Sequence, residues 1–459
     1  MSACAETLMA VRRQRLLRRY DVSAPRYTSY PTAAQFTPAV GPETWADWLR
    51  ALPQDEPVGL YAHIPFCKRL CWYCGCNTRA VNRLDVMSSY VDLLLKEAEM
   101  VAEALVLPLG PVSLHLGGGT PNSLSPDLLS RLVSGLKQLF QPDEGLAFAA
   151  ELDPAVLTSD WVDRAAELGL TRASLGVQDL SPEVQQAVNR IEPFEVVERA
   201  VGWLMRAGVP SVNLDLMYGL PRQGRAQVLS TLEQILTLRP DRIALFGYAH
   251  VPWMKPHQRL IDTAELPGAS ERFDQSQAAA ERLVQAGYHA IGLDHFALPD
   301  DSLAVAARNG RVRRSFQGYT TDPVYLIGMG ASSISRTSQG YVQNHTIERD
   351  WRAAIASGKL PAARGLAMTA DDRRRAEIIE RLMCDFAVFL PAVERRHGPD
   401  PDHFRSALSA LKPLMDDDLV VVNDGAIAVT DLGRPFVRLI CAAFDDAPTS
   451  AAPRHAQAI

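Results

Sequence analysis

The sequence predicts an α/β fold, a partial (β/α)6 barrel with an N-terminal lid segment and a mostly helical C-terminal domain carrying a winged-helix hairpin. Two observations carry the barrel. Six short apolar runs alternate with longer amphipathic stretches between residues 59 and 246, the pattern of parallel βαβ units with right-handed crossovers. Each run also ends in glycine or polar residues, and the C-terminal rim of such a barrel is where chemistry is placed. A doubly wound open sheet fits the same alternation, but no G-x-G-x-x-G fingerprint follows the first run.

The run at 59–64 feeds a cysteine-rich loop. The second, 112–116, ends in Gly117-Gly-Gly-Thr120-Pro121, and the third, 146–152, in Glu151 and Asp153. The fourth, 173–177, ends in Gln178-Asp179; the fifth, 212–217, around Asp215 and Tyr218-Gly219; the sixth, 242–246, in Tyr248-Ala249-His250. Amphipathic stretches at 90–107, 126–140, 160–168, 194–207 and 225–238 are the crossover helices. Singly, each strand end has an ordinary explanation as a turn or a helix cap. Six of them meeting at one mouth, downstream of a cysteine loop, point to an active site.

Beyond residue 300 the alternation ends. Residues 371–389 read as a charged amphipathic helix and 401–411 as another, and Asn423-Asp-Gly425 between β-rich runs signals a hairpin. The expected division is 1–54 as an N-terminal lid or arm, 55–300 as the barrel, 301–445 as the C-terminal helical and winged-helix-like domain, and 446–459, rich in Ala and Pro, as a disordered tail.

Composition bounds the class. The chain has 459 residues, 47% apolar and 22% charged, which is globular. A net charge of −6 gives no electrostatic case for nucleic acid, and the hairpin region is not basic. Arg12, Arg13, Arg15, Arg18 and Arg19 precede no apolar signal-peptide core, and no window reaches ~18 uninterrupted apolar residues. A cytoplasmic monomer without a membrane span is expected.

Four of the seven cysteines fall in Cys67-Lys-Arg-Leu-Cys71-Trp-Tyr-Cys74-Gly-Cys76; Cys4, Cys384 and Cys441 are isolated, as packing or surface residues are. Clustered thiolates suit a soft ion, either zinc or the iron of an iron–sulfur cluster. Structural zinc usually draws two pairs from separate knuckles. A single C-x3-C-x2-C loop can instead wrap one face of a cubane and leave one iron open. Neighbouring thiols in a cytosolic chain stay reduced, which speaks against a disulfide.

This loop resembles the signature of radical S-adenosylmethionine (SAM) enzymes, in which the open iron is chelated by SAM's methionine moiety. The resemblance implies one [4Fe-4S] cluster held by Cys67, Cys71 and Cys74, with Cys76 outside the ligand set. It assigns Gly118, Gly119 and Thr120 to the methionine group, and backbone around Tyr61 to the adenine. Glu151 and Asp215 would meet ribose hydroxyls or the sulfonium. Tyr73 matches an aromatic position of the pattern, and packing over the loop explains it equally well.

The match continues through Pro25-Arg-Tyr-Thr-Ser-Tyr-Pro-Thr32, Tyr61-Ala-His-Ile-Pro-Phe-Cys67, Glu151-Leu-Asp-Pro154, Val188-Asn-Arg-Ile191, Asp215-Leu-Met-Tyr-Gly-Leu-Pro221, Asp294-His-Phe-Ala297 and Phe316-Gln-Gly-Tyr-Thr-Thr321. Over residues 20–440 the chain is similar to the oxygen-independent coproporphyrinogen III oxidase family. That likeness implies oxidative decarboxylation of two propionates of coproporphyrinogen III to vinyl groups, giving protoporphyrinogen IX, with an unidentified one-electron donor and an electron acceptor as partners. It implies a second SAM as well, near Gln178, Arg190, Asp215, Ala249 and Ile334. Related haem chaperones typically lack the Cys-Gly-Cys ending and the N-terminal Arg-Tyr-Thr-Ser-Tyr-Pro element, both present here. A haem-binding chaperone and a zinc-stabilised binding module are the rival readings. Four propionates call for arginine forks, with Arg26, Arg308, Arg311, Arg313 and Arg314 as candidates, and residues 20–32 are expected to lie across the mouth as a lid.

Overall fold

The computed structural model describes residues 3–446 except 21, 54, 107, 143, 401 and 403, and gives the backbone alone for 3–10. Most of the expected C-terminal tail, from 447 on, lies outside the described residues.

The six runs form β1 (Val58–Ile64), β2 (Ser113–Gly118), β3 (Ala147–Leu152), β4 (Leu170–Gln178), β5 (Ser211–Tyr218) and β6 (Arg242–Gly247), each parallel to the next. Helices cross between them where the amphipathic stretches predict. The helix Pro126–Phe140 starts where Ser125 accepts the Leu128 N–H at 3.3 Å, with Pro126 at its first position, and it buries Leu128, Leu129, Leu132, Val133, Leu136 and Phe140 on one face. Thr158 caps the helix Ser159–Glu167 in the same way.

The sheet does not stop at these strands. β7 (His289–Ile291) and β8 (His295–Ala297) add antiparallel beyond β6, while β9 (Arg313–Ser315) and β10 (Gly318–Thr320) form a separate hairpin. β11 (Tyr325–Met329) pairs parallel with the outer edge of β1, and β12 (Ile334–Arg336), β13 (Gly340–Asn344) and β14 (Ala362–Ala367) follow antiparallel. The result is one open twelve-stranded sheet, β14-β13-β12-β11-β1-β2-β3-β4-β5-β6-β8-β7. The sheet therefore runs past residue 300, where the sequence reading ended the barrel. Ile327, Met329, Val342 and Trp351 share the barrel's core with Leu60, Leu94 and Leu116. These late strands are short, and among β11 to β14 only one short helix, Glu348–Ala356, intervenes, so they lack the regular alternation that marks the first six.

A second core unites the two ends of the chain. Leu16, Leu17, Tyr27 and Tyr30 pack with Ile378, Leu382, Leu411 and Phe436. The helices Ala370–Asp385 and Arg405–Asp416 are joined there by β15 (Ala387–Phe389), β16 (Val420–Asn423) and β17 (Ala426–Val429). The expected hairpin turns at Asp424 and Gly425, whose φ values of 47° and 78° suit a tight two-residue turn.

Candidate active site

The cysteine loop leaves β1 and is shaped from outside itself. A two-residue ladder, Phe66–Cys67 beside Arg79–Ala80, closes its base. Its carbonyls are then held by distant side chains: Asn189 Nδ2 donates to Leu70 O (3.1 Å), Gln258 Nε2 to Tyr73 O (2.9 Å), His257 Nε2 to Cys74 O (2.7 Å) and Lys255 Nζ to Cys76 O (2.9 Å). His63 Nε2 donates to Asn77 O at 2.8 Å while its Nδ1 accepts from Tyr61 OH at 3.0 Å, and Asn77 Nδ2 reaches Thr346 O at 2.9 Å.

Each of the three spaced sulfurs meets a donor. Thr120 Oγ1 donates to Cys67 Sγ (3.3 Å), Arg190 Nη1 to Cys71 Sγ (3.4 Å) and the Cys76 N–H to Cys74 Sγ (3.4 Å). Burial pushes the Cys67 and Cys71 thiols up, whereas the hydrogen bond from the Cys76 thiol brings Cys74 down to about 7 and keeps Cys76 itself well above the usual range. Three soft ligands on one loop, with donors aimed at their sulfurs, fit an anionic iron–sulfur cluster.

Beside this loop, β2 ends in three glycines in a tight space. A Cβ on Gly119 would sit 2.6 Å from Thr78 Oγ1 and 2.8 Å from Phe66 O, and Gly118, at φ 109°, would strike the His63 ring. Gly119 N–H and Thr120 N–H donate to Ile64 O and Phe66 O, locking the turn to β1. The Thr120 hydroxyl, expected to face SAM, turns to Cys67. Glu151 accepts from Gly118 N (2.9 Å) and His115 Nε2 (3.2 Å); burial works to raise its pKa, but these partners outweigh it and the carboxyl lies below its ordinary value. Tyr61 stacks on His115 and meets Phe316 edge-on, with ring centres 5.8 and 5.2 Å apart.

Farther along the rim, Asp215 accepts from Ser174 Oγ (2.9 Å) and Asn213 Nδ2 (2.7 Å), and burial still lifts it to about 6. Arg190 is buried against Glu192 (3.1 Å) and Asp153 (3.4 Å), also donates to Gly176 O, and its Nε finds no partner among the described residues. Gln178 closes β4 at φ 71° beside Gly176. Ala249 O accepts from Gln258 Nε2. The Tyr73 ring packs with Val184, Val188, Leu220 and Tyr248, so its packing role is real.

A cavity of about 580 Å3 opens from this rim and is lined by Cys76, His115, Glu151 and Asp215 and by several arginines. A second, of about 420 Å3, shares Phe316 and Gln317 with the first and is lined by Ile334, which does not line the first. Arg26 and Arg314 line both cavities, and Arg313 the second. Arg308 instead donates to Pro299 O, and neither it nor Arg311 lines either cavity. Residues 25–29 and 32–34 line the second cavity, and Arg438 grips the carbonyls of Ala24 and Pro25 from the C-terminal domain. Sequence reasoning missed His115, His257, Gln258 and Arg272. Their partners are backbone atoms or residues remote in the chain, and no local motif marks them.

A parallel sheet with a three-cysteine loop after its first strand and a glycine-rich turn after its second defines a radical SAM protein, and the Radical SAM superfamily model matches residues 61–235. The HemN C-terminal domain model matches residues 368–436. The oxygen-independent coproporphyrinogen III oxidase of Bradyrhizobium diazoefficiens is 45% identical over 422 residues, covering 92% of this chain and 94% of that one. The Escherichia coli protein of the same name is 39% identical over 94% of both chains. The solved structure of coproporphyrinogen III oxidase (HemN) from Escherichia coli, a radical SAM enzyme, superposes with a TM-score of 0.88 at 38% identity, over 92% of this chain and 97% of that one. This chain belongs to the oxygen-independent coproporphyrinogen III oxidase family.

Proposed function

We propose that the chain converts two propionates of coproporphyrinogen III to vinyl groups without oxygen, giving protoporphyrinogen IX in haem biosynthesis. The observation that carries this reading is a single cavity joining the cysteine loop to buried arginines. When bound, a [4Fe-4S] cluster reduced by an external one-electron donor would, with SAM, supply the radical chemistry that takes hydrogen from a propionate β-carbon, the carboxylate leaving as carbon dioxide and the remaining electron passing to an external acceptor.

The chain's own residues position, shield and tune. Cys67, Cys71 and Cys74 hold the cluster, while Thr120 and Arg190 direct donors at its sulfur ligands. Gly118 and Gly119 let backbone approach the methionine group of SAM, and Glu151, held ionised by His115, faces its ribose or its positive charge. Tyr61 and Phe316 form an aromatic wall that excludes water. A second SAM would lie by Asp215, Arg190, Gln178 and Ala249, and the idle Nε of Arg190 supports that placement. Ile334, the remaining candidate for that site, lines the adjoining smaller cavity. The working unit is a monomer in the cytoplasm, and among the described residues no helix is long and apolar enough to cross a membrane.

Anaerobic incubation of iron- and sulfide-reconstituted protein with SAM, a strong reductant and coproporphyrinogen III tests the reading. Protoporphyrinogen formed in step with 5′-deoxyadenosine is expected. SAM cleavage by a loaded cluster without decarboxylation would overturn the substrate assignment and favour the chaperone.

A further inference from the structure

Three guanidinium groups from separate parts of the chain share one wall of the larger cavity: Arg26 of the N-terminal segment, Arg272 of the helix Ala269–Gln285, and Arg314 of β9. Arg26 Nη2 donates to Gly247 O at 2.7 Å and Arg272 Nη2 to Tyr248 O at 2.9 Å, successive carbonyls at the end of β6. Carbonyls orient a guanidinium without neutralising it. Arg314 is only 7% exposed, with its guanidinium carbon 4.4 Å from the centre of the Tyr319 ring.

The carboxylate among them is Asp294, 3.7 Å from Arg314 and already engaged by His295 Nδ1 at 2.8 Å. Arg314 Nε and Nη1 and Arg272 Nε are buried and meet no acceptor among the described residues. Cationic donors left idle out of water are costly unless a ligand completes them. Other arginines of the same cavity are different: Arg242 pairs with Asp301 at 2.7 Å and Arg172 with Asp322 at 3.6 Å. Glu151 and Asp215 line the same cavity. Arg26, Arg272 and Arg314 are thus gathered around Asp294 within a cavity that Cys76 of the cysteine loop also lines.

We infer that Arg26, Arg272 and Arg314 seat the carboxylates of the two propionates that the reaction keeps. This rests on the functional reading above and goes further, by assigning ends to the substrate. A propionate that reacts gives up its carboxylate charge as carbon dioxide. A guanidinium fork on that carboxylate would stabilise the starting state more than the transition state and slow the step. On a retained propionate the same fork is present throughout and serves only to hold the ring. With the retained propionates seated there, the other two are left to face the rest of the cavity, which Cys76 of the cysteine loop also lines.

The experiment is anaerobic equilibrium dialysis of cluster-loaded protein with coproporphyrinogen III and, separately, with protoporphyrinogen IX, without reductant, read by fluorescence after oxidation. Arg314→Gln and the more accessible Arg26→Gln are compared with wild type, with melting temperature as the check on folding. Each substitution is expected to weaken both tetrapyrroles by the same factor, about 10-fold or more, because both carry the retained propionates. Weakened coproporphyrinogen binding with unchanged protoporphyrinogen binding would place the arginines on the reacting propionates and overturn the assignment, as would no change in either. Failure of the wild type to bind coproporphyrinogen III would instead overturn the functional reading itself.

Discussion

Cys74 and Cys76 differ by two positions and by their expected fates. Cys74 is the thiol brought down to about 7, and Cys76 is the exposed donor beside it that lines the cavity. Cys67→Ser, Cys71→Ser and Cys74→Ser are each expected to lose most of the iron and sulfide bound per chain after anaerobic reconstitution. Cys76→Ser should retain it, and an equal loss there would make Cys76 a ligand. At this scale the sequence was most legible where neighbouring residues carry the chemistry, as in the cysteine spacing and the glycines before Thr120. It was least legible where a side chain serves backbone far away. Gln258, 185 positions from the Tyr73 carbonyl it holds, sits in a stretch with no recognisable pattern. Arg308 and Arg311 misled for the opposite reason: they are adjacent in sequence to Arg314, but the short helix Ser302–Arg308 and the turn after it take them away from the cavity.

Between elements, Glu97 is the main polar tie. It lies on the helix Leu84–Ala104, fully inside the protein, and accepts from Gly330 N (2.8 Å), Asn344 Nδ2 (2.6 Å) and Trp351 Nε1 (2.8 Å), joining the first crossover helix to the strands that the sequence reading missed. Burial pushes its carboxyl from an ordinary 4.5 to about 7, more than the three donors lower it. The folded state therefore holds a proton that the unfolded chain has released over that window, and this group's contribution to stability falls as pH rises through it. The stability advantage of wild type over Glu97→Gln is expected to shrink by about 2 kcal/mol between about pH 5 and about pH 7.5, measured by urea denaturation. Glu97→Leu, which strands three buried donors, should cost about 3 kcal/mol or more at either pH. Periodicity revealed the six strands between long helices; β11 to β14, three to six residues each and interrupted by Gly328, Gly340 and Gly365, gave no periodic signal to read.

For the molecule as a whole, the N-terminal segment that lines the cavities is tied to the C-terminal domain. Asp417, with its side chain 4% exposed, pairs with Arg15 at 3.1 Å and Arg19 at 2.8 Å and accepts from Tyr20 OH at 2.8 Å. Asp417→Ala is expected to speed tryptic cleavage at Arg18 and Arg19 by about 10-fold, corresponding to loss of about 1.4 kcal/mol of local docking, and to raise KM for the tetrapyrrole. Unchanged cleavage would show that the apolar contacts of Leu16 and Leu17 suffice. A role for the N-terminal segment at the cavity could be expected from the sequence, but its tie to Asp417, 397 positions away, could not. The remote pinning of the cysteine loop has a further meaning in time. During synthesis the cysteines emerge long before Gln258 and Thr346, the latter 269 positions beyond the Asn77 side chain that reaches it. The metal-binding loop can therefore complete its contacts only once three quarters of the chain has been made.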